Sequence, residues 1–251
     1  MISVLCAIKN RSEHLLQSYK SWLLCEGVDE VVIVDWGSDA PISEKLERHE
    51  KLKIVQVNPA HAKYWAFSQA YNTAARFASG DLYVIMNADE ILVCPESLFS
   101  LEPPSSVFYY EGTSWESKKA HGVYFLYIRA DIFWTINGYH EHLIGYGYDD
   151  IDFKRRLLAS GMINKESNVK IEHIKHSTNY ATWEHHLNYE ISWGYPWSKT
   201  AKLIELEYTE KDNIIHCDIA IKDRITDKRF LDRKKRGGLL SQAAKEYDRI
   251  Q

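Results

Sequence analysis

The stretch ISVLCAI, residues 2–8, is followed at once by the polar residues 9–11 (KNR). A short continuous apolar run ended by polar residues is typical of a strand buried on both faces of a parallel sheet. Apolar residues then recur at helical spacing between Leu15 and Leu23, with Ser12 as a cap and Gly27 as a stop signal. The chain is therefore expected to begin with a strand and a helix.

The same alternation continues through the first ninety residues. Strands are expected at Val31–Val34, Leu52–Val57 and Leu82–Met86, and helices at Ser43–Glu50 and Phe67–Ala78. Strands separated by helices indicate an open α/β sheet, whose ligand site lies beyond the carboxyl ends of the strands. Residues 9–11, 35–39 and 87–90 are therefore expected to meet at one edge of that sheet.

The second half of the chain is less regular. Strands are expected at Val107–Tyr110, Val123–Ile128 and Val169–Ile174, and helices at Asp131–Ile136, Asp150–Ser160 and from about Thr182 onward. We expect one main domain over residues 1–200, with a nucleotide-binding half at 1–90 and an acceptor-binding half at 91–200. Residues 201–251 are expected to form a helical, basic C-terminal extension.

Composition and charge limit the class of protein. Of 251 residues, 45% are apolar and 26% are charged, which is typical of a folded domain and not of a disordered chain. The net charge of −4 argues against a general nucleic-acid binder. The apolar runs are too short for a secretion signal or a membrane span, and the four scattered cysteines suit reduced thiols, so a cytoplasmic location is expected.

The C-terminal tail is locally basic. Residues 222–236 contain eight Lys or Arg against three Asp, a net charge of +5. Such a segment either lies on an anionic membrane, as expected for a lipid-linked acceptor at the inner face of a membrane, or forms a solvated or oligomer-forming helix. The sequence leaves both alternatives open.

Acidic residues replace the usual phosphate-binding glycines. The chain has no G-x-G-x-x-G after its first strand and no G-x-x-x-x-G-K-[ST], so carboxylates with a metal are expected to handle phosphate. Asp89 follows a buried strand and can serve as one oxygen ligand, although polar residues end most strands. His173 and His176 follow a later strand, where each is either a metal ligand or an ordinary polar residue.

Three aspartates begin the helix predicted from Asp150, in the segment Asp149-Asp150-Ile151-Asp152. Aspartates there complement the helix dipole, but three exceed what capping requires, and one of them can act as a general base. Gly145 and Gly147 would allow the preceding loop to close over a substrate.

Two residues near the first two strands have alternative interpretations. Arg11 either holds a phosphate or pairs with a surface acid, and Asp35 either binds a nucleoside or ends a strand.

These segments resemble a known family. Asn10-Arg11, a strand ending in D-W-G-S (35–38) and a strand ending in N-A-D-E (87–90) resemble nucleotide-diphospho-sugar glycosyltransferases of the GT-A fold, with family-2-like enzymes as the nearest class. The segments N-G-Y (137–139) and G-Y-G-Y-D-D-I-D (145–152), with the following R-L and G, resemble the N-G-[FY]…G-W-G-x-[ED]-D-x-D…R-L…G block of β-1,4-galactosyltransferases. The resemblance implies a Rossmann-like, mixed and mainly parallel sheet flanked by helices.

The resemblance also implies a role for each matching residue. It places Arg11, Asp35 and Trp36 at the nucleotide, Asn87 near the ribose, Asp89 and His176 on the metal with His173 as the alternative, Asp150 as the base, and Asp149, Tyr146 and Gly147 at the acceptor. Asn87 and Trp36 stand where the family has acids, and Tyr146 stands where it has a tryptophan. The Trp36 ring either stacks on uracil or packs in the core.

The implied function is transfer of a hexose or N-acetylhexosamine from a UDP-sugar to a hydroxyl of a glycan acceptor, with inversion, with Mn²⁺ or Mg²⁺, and in bacterial-type surface polysaccharide synthesis. One alternative is a catalytically silent sugar- or nucleotide-binding relative, because Asn87 and Trp36 depart from the family. A metal-dependent nucleotidylyltransferase ranks last, because residues 9–11 lack the glycine-rich loop that it needs.

Overall fold

A computed structural model of the chain describes residues 1–62, 65–93, 105–111, 124–141, 143, 147–165, 167, 169–176 and 204–220. The strands are β1 (Ile2–Ile8), β2 (Glu30–Asp35), β3 (Leu52–Val57), β4 (Leu82–Met86), β5 (Glu90–Val93), β6 (Val107–Glu111), β7 (Phe125–Arg129), β8 (Ile163–Lys165), β9 (Lys170–His173), β10 (Glu205–Lys211) and β11 (Ile214–Ala220). The α-helices are α1 (Ser12–Leu23), α2 (Phe67–Phe77), α3 (Ala130–Thr135) and α4 (Asp149–Ala159).

Nine of these strands form one mixed sheet, in the order β10-β11-β3-β2-β1-β4-β7-β6-β8. The central strand β1 is parallel to both β2 and β4, and β3 is parallel to β2 and β11. β7 is antiparallel to β4 and to β6, which adds the second half of the chain to the first. The predicted mixed, mainly parallel α/β sheet flanked by helices is confirmed.

The central strands are buried throughout because helices cover both of their faces. Every residue of β1 and β2 is buried, as expected for inner strands of a parallel sheet. The helix α1 buries Leu15, Tyr19 and Trp22 in the core on one face, and α2 buries Ala70 and Tyr71 in the core on the other. The apolar runs and helical stripes of the first ninety residues therefore place these elements correctly.

The helical structure predicted for the C-terminal extension is wrong over residues 205–220. This segment is a hairpin, and its second strand lies parallel to β3 in the main sheet. Ile215, Cys217 and Ile219 are buried while the residues between them are exposed, which is the period of a strand. Asp212 and Asn213 have φ of 55° and 61°, as a tight two-residue hairpin turn requires. The basic residues 222–236 lie outside the described residues.

Smaller differences concern local elements. The polar helix expected at Ser43–Glu50 is only a 3₁₀ turn at Ile42–Glu44, and the short strands β5 and β8 were not expected. Cys25 is disulfide-bonded, so the expectation of reduced thiols throughout is wrong. Within the described part of the chain, the helices lack the length and apolarity needed to cross a membrane.

Candidate active site

A two-stranded ribbon of β5 and β9 lies beside the main sheet and carries three potential metal ligands. Asp89 directly precedes β5, and its carbonyl accepts a hydrogen bond from the Ile174 backbone N–H at 2.8 Å. The ligand atoms of Asp89, His173 and His176 all lie within 4.8 Å of one another. The Asp89 Oδ2 atom is 2.6 Å from His176 Nε2 and 3.5 Å from His173 Nε2. The ribbon therefore brings together all three residues that the sequence offered as ligands.

The chemistry of this cluster fits a divalent cation. Asp89 Oδ1 is buried and has no hydrogen-bond partner among the described residues, so it is an oxygen donor available to a metal. One carboxylate with two imidazoles suits Mn²⁺ and later transition metals better than Mg²⁺, which prefers oxygen ligands throughout. Of the two metals expected, the donor set favours Mn²⁺.

His14 lies beside this cluster, although no site role was predicted for it from the sequence. Its ring lies edge-on to that of His176, with centroids 5.1 Å apart, and its Nδ1 is buried without a partner among the described residues. Burial, followed by the nearby Arg11 and His176, lowers its pKa. The sequence signal for His14 is its position in α1, three residues after Arg11. Arg11 itself is exposed at the start of that helix.

Asn87 and Glu90 lie on either side of Asp89, the candidate metal ligand. The Asn87 backbone N–H donates to Glu90 Oε2 at 2.6 Å, and the Asn87 side-chain amide donates to Glu90 Oε1 at 3.2 Å. Tyr71 Oη donates to Asn87 Oδ1 at 3.3 Å. Both ends of the Asn87 amide therefore have partners within the protein, and its predicted ribose contact stays a prediction.

The strand end at Asp35 is built differently. Asp35 is 1% exposed, and its two carboxylate oxygens accept the backbone N–H groups of Ser38 and Ile42 at 2.9 and 2.8 Å. The Trp36 ring is buried in the core, which favours a packing role for this ring over stacking on a nucleotide base. The Lys9 ammonium donates to the Trp36, Gly37 and Ala62 carbonyls. These contacts hold the loop from within and favour the structural interpretation of Asp35.

The first turn of α4 places two carboxylates in different surroundings. Asp150 is half-buried, and its Oδ2 accepts a hydrogen bond from Tyr110 Oη at 2.8 Å. Asp149 is 3% exposed and accepts a hydrogen bond from Ser68 Oγ at 2.5 Å. Burial raises the pKa of Asp149 to about 8, with Ser68 opposing the shift. Asp150 is therefore the more accessible acid, and the acceptor contact predicted for Asp149 stays a prediction.

The loop before α4 is held by backbone geometry and by one arginine. Gly147 has a φ of +95°, which suits glycine. Arg156 donates to the Ile136 and Gly138 carbonyls at 2.9 and 2.8 Å. A Cβ on Gly138 would lie 2.4 Å from Asn72 Oδ1, so the N-G-Y turn requires glycine. Tyr146, the predicted acceptor-loop residue, lies outside the described residues.

A continuous path of contacts joins the ribbon of β5 and β9 to Asp150. Glu90 Oε1 accepts the Tyr124 backbone N–H, the Tyr124 and Tyr110 rings meet edge to face with centroids 5.7 Å apart, and Tyr110 donates to Asp150. Tyr124 and Tyr110 were not assigned to the site from the sequence. The two groups of candidate residues are thus linked by packing across β6 and the segment entering β7.

Two family models match adjacent parts of the chain. Residues 3–93 match the model of glycosyl transferase family 2, and residues 103–186 match the model described as the N-terminal domain of galactosyltransferase. The comparison with curated protein sequences found no match.

Among solved structures, the chain is similar to the catalytic domain of Drosophila β1,4-galactosyltransferase 7 with xylobiose, at 16% identity and a TM-score of 0.53, covering 87% of this chain and 92% of that one. A mutant of that enzyme with manganese, UDP-Gal and xylobiose is similar at 15% identity and a TM-score of 0.55, again covering 87% of this chain and 92% of that one. A mannosyltransferase from Pyrobaculum calidifontis with GDP-Man and Mn²⁺ gives 16% and 0.52, covering 66% of this chain and 54% of that one. The chain has the GT-A glycosyltransferase fold.

In this GT-A fold, the two matching segments correspond to the two halves of the site. The family 2 segment ends at Val93 and contains Asp89, whereas the galactosyltransferase segment contains Asp150, His173 and His176. The candidate metal ligands therefore come from both segments. The family resemblance inferred from the sequence is confirmed.

Proposed function

We propose that this protein is a metal-dependent, inverting glycosyltransferase that moves a hexose or N-acetylhexosamine from a UDP-sugar to a hydroxyl of a glycan acceptor. The observation that carries this proposal is the path of contacts between the Asp89 cluster and Asp150. It supports a single site in which a cation and a base act on the same substrate.

The cation side of the site would be held by Asp89, His173 and His176. A divalent cation bound there supplies Lewis-acid stabilisation of the charge on the nucleoside diphosphate leaving group. We assign a phosphate oxygen of the donor to Arg11, and its exposure at the start of α1 near His14 supports this. These residues support binding of the donor, whereas the internal contacts of Asp35 and Trp36 favour a role in shaping the loop beside it.

Asp150 is the residue we assign as general base. It would accept the proton of the acceptor hydroxyl while that oxygen attacks the anomeric carbon of the sugar from the face opposite the diphosphate. The new glycosidic C–O bond forms as the bond to the diphosphate breaks, so the configuration inverts. A positioned base of this kind contributes on the order of 10²–10⁴ in rate.

Donor and acceptor classes follow from the similar proteins, as proposals. The Drosophila enzyme, which this chain matches over most of both lengths, was crystallised with UDP-Gal and xylobiose. The mannosyltransferase was crystallised with GDP-Man. We therefore rank UDP-galactose and UDP-N-acetylhexosamines first as donors and GDP-mannose next, with an oligosaccharide as acceptor.

The test is a screen of these nucleotide sugars for Mn²⁺-dependent release of the nucleoside diphosphate, followed by transfer to glycan acceptors. Asp150→Asn should abolish transfer and keep donor binding, while the control Asp131→Asn, an exposed carboxylate paired with Arg129, should leave transfer unchanged. Near-normal turnover in Asp150→Asn would exclude Asp150 as the base. Donor binding with no turnover in the unmodified protein would instead identify a catalytically silent relative.

The cellular setting is a further part of the proposal. We infer an enzyme of surface polysaccharide synthesis that uses a lipid-linked acceptor. Residues 222–251 either form a solvated or oligomer-forming helix or contact the membrane peripherally. The high positive charge of residues 222–236 supports membrane contact. Sedimentation with anionic liposomes, with and without residues 222–251, tests it, and equal partitioning would exclude it.

A further inference from the structure

We propose that Asn87 and Glu90 form a positioning pair that holds Asp89 for the cation, with the residue 87 side chain facing Glu90 instead of the metal or the ribose. The inference rests on the metal site of the proposed function. It adds two residues that act through Asp89 and assigns a physical reason to the asparagine that stands where the family has an acid.

The hydrogen bonds around residue 87 are directed inward. Glu90 accepts from Asn87 twice, once from the backbone at 2.6 Å and once from the side-chain amide at 3.2 Å. The other end of that amide, Oδ1, lies 3.3 Å from the Tyr71 hydroxyl, whose single proton is shared between Oδ1 and the Met86 carbonyl at 2.8 Å. A side chain with both ends engaged in this way defines the turn that contains Asp89.

Glu90 is fully buried and is anchored on every side. It is 0% exposed, and its carboxylate also accepts the Tyr124 backbone N–H. Its own backbone carbonyl accepts from Trp22 Nε1 at 2.9 Å, and its Cα is paired with that of His173 across the ribbon. The pair therefore connects the turn carrying Asp89 to the strand carrying a second metal ligand.

Charge explains why an amide suits position 87. A buried carboxyl is tolerated when donors surround it, and among the described residues the three groups that donate to Glu90 are N–H groups. An aspartate at position 87 would place a second carboxyl about where the amide now lies, against Glu90. Two charged carboxylates would repel there, and a shared proton would replace the amide as donor, so either state loses the present arrangement. The cation site is thus built with one carboxylate and two imidazoles.

A double-mutant cycle tests the coupling, using Mn²⁺ alone without any nucleotide. Asn87→Asp and Glu90→Gln should each weaken Mn²⁺ binding by about tenfold or more, which is typical when groups that orient a metal ligand are lost. The exchanged pair Asn87→Asp with Glu90→Gln again sets one amide against one carboxylate at the side chains, although the amide introduced at position 90 also meets the backbone N–H groups that Glu90 accepts. We therefore expect partial rescue, with the double variant binding Mn²⁺ about threefold or more tighter than the product of the single-variant effects predicts.

Asn58→Asp is the matched control, because the Asn58 amide donates to Asp218 at 2.8 Å at an exposed position of the sheet. It makes the same amide-to-acid change against another carboxylate and should leave Mn²⁺ affinity unchanged. Single-variant effects that simply multiply in the double variant would overturn the proposal. Tighter Mn²⁺ binding in Asn87→Asp, whatever residue occupies position 90, would also overturn it, because residue 87 would then face the cation.

Two further measurements keep the pair testable. If Asn87→Asp does not fold, recovery of folding in the double variant still demonstrates the coupling. If neither variant folds, the Mn²⁺ affinity of Asn87→Ala tests the proposal. That variant should fold and weaken Mn²⁺ binding by about tenfold, and unchanged affinity would overturn the proposal. Absence of Mn²⁺ binding in the unmodified protein would contradict the proposed metal site instead, and the unfolding temperatures of the cycle would still report on the pair.

Discussion

Two aspartates at or just after the strands that flank β1, Asp35 at the end of β2 and Asp89 after β4, are alike in sequence context and opposite in structure. Asp35 is 1% exposed, and both of its oxygens accept backbone N–H groups of its own loop. The Asp89 side chain is 18% exposed, with one oxygen against His176 and the other buried without a partner among the described residues. The available partners, more than the residue type, determine whether a strand-end acid shapes a loop or binds a ligand.

The same contrast recurs at the start of α4. Asp149 is buried against Ser68 of α2, whereas its neighbour Asp150 is half-buried and faces the Tyr110 hydroxyl. In each pair one acid supports the scaffold and the other is accessible for chemistry. Four substitutions test this division, and they are ordered from the largest expected effect to the smallest.

Replacing Asp89 should have the largest effect. Asp89→Asn removes the only carboxylate among the described ligand set, and we expect Mn²⁺ affinity to fall by about 100-fold or more. The unfolding temperature measured without metal should change much less, because Oδ1 has no partner to lose among the described residues and an amide at position 89 can still hydrogen-bond the His176 ring. Titration with Mn²⁺ measures the loss, and an unchanged dissociation constant would contradict the metal site.

The pH dependence of stability tests the burial of Asp149. Its folded pKa of about 8 lies above the ordinary value of 3.8, so the folded state binds this proton more tightly than the unfolded state. The stabilisation is complete below pH 3.8 and is lost as the pH rises through 8, at up to about 1.4 kcal/mol per pH unit. Asp149→Asn should flatten this decline.

Urea unfolding at a series of pH values measures the slope. Glu141 has a folded pKa of about 7, raised by burial and opposed by Arg76, so part of the decline should remain in Asp149→Asn. An identical slope in the variant and the wild type would show that Asp149 is not buried in this way.

Replacing Asp35 should affect stability and leave metal binding intact. Asp35→Asn turns one acceptor into a donor that faces a buried backbone N–H, and an unsatisfied buried group of this kind costs about 1–3 kcal/mol. We expect a lower unfolding free energy by that amount and an unchanged Mn²⁺ dissociation constant. A variant with normal stability and impaired UDP binding would instead restore the nucleotide-binding role.

Tyr110→Phe should have the smallest effect. Loss of one hydrogen bond to Asp150 costs about 1 kcal/mol, or roughly fivefold in kcat, and raises the pKa of the base. The acidic limb of the kcat profile should therefore move to higher pH while the donor KM stays constant. Tyr83→Phe, which loses a comparable bond to the Ala75 carbonyl, is the control and should leave the profile in place. A matching shift in that control would exclude a specific role for Tyr110.

Much of the fold was predictable because its signals are local. The apolar runs at β1 to β4 and the stripes of α1 and α2 follow from residue periodicity within single elements. The hairpin at residues 205–220 was missed because its alternation is short and half exposed, and β3 supplies its pairing partner from a distant part of the chain.

The site was predictable in part. Asp89, His173 and His176 were all offered as ligands, but only the pairing of β5 with β9 establishes that all three meet. No site role was predicted for His14, Tyr110 or Glu90, since each enters the site through contacts with residues far along the chain.

The sequence by itself determined the alternation of strands and helices and the carboxylates that follow strands or begin α4, because burial pattern and chain direction are properties of neighbouring residues. The tertiary structure decided which of those carboxylates accept hydrogen bonds from the protein itself and which remain available to a metal or substrate. Hydrogen-bond partners come from segments far apart, as with Asp89 and His176, which are separated by 87 positions. The free energy of a buried charge depends on those partners, so only the folded chain assigns each acid its role.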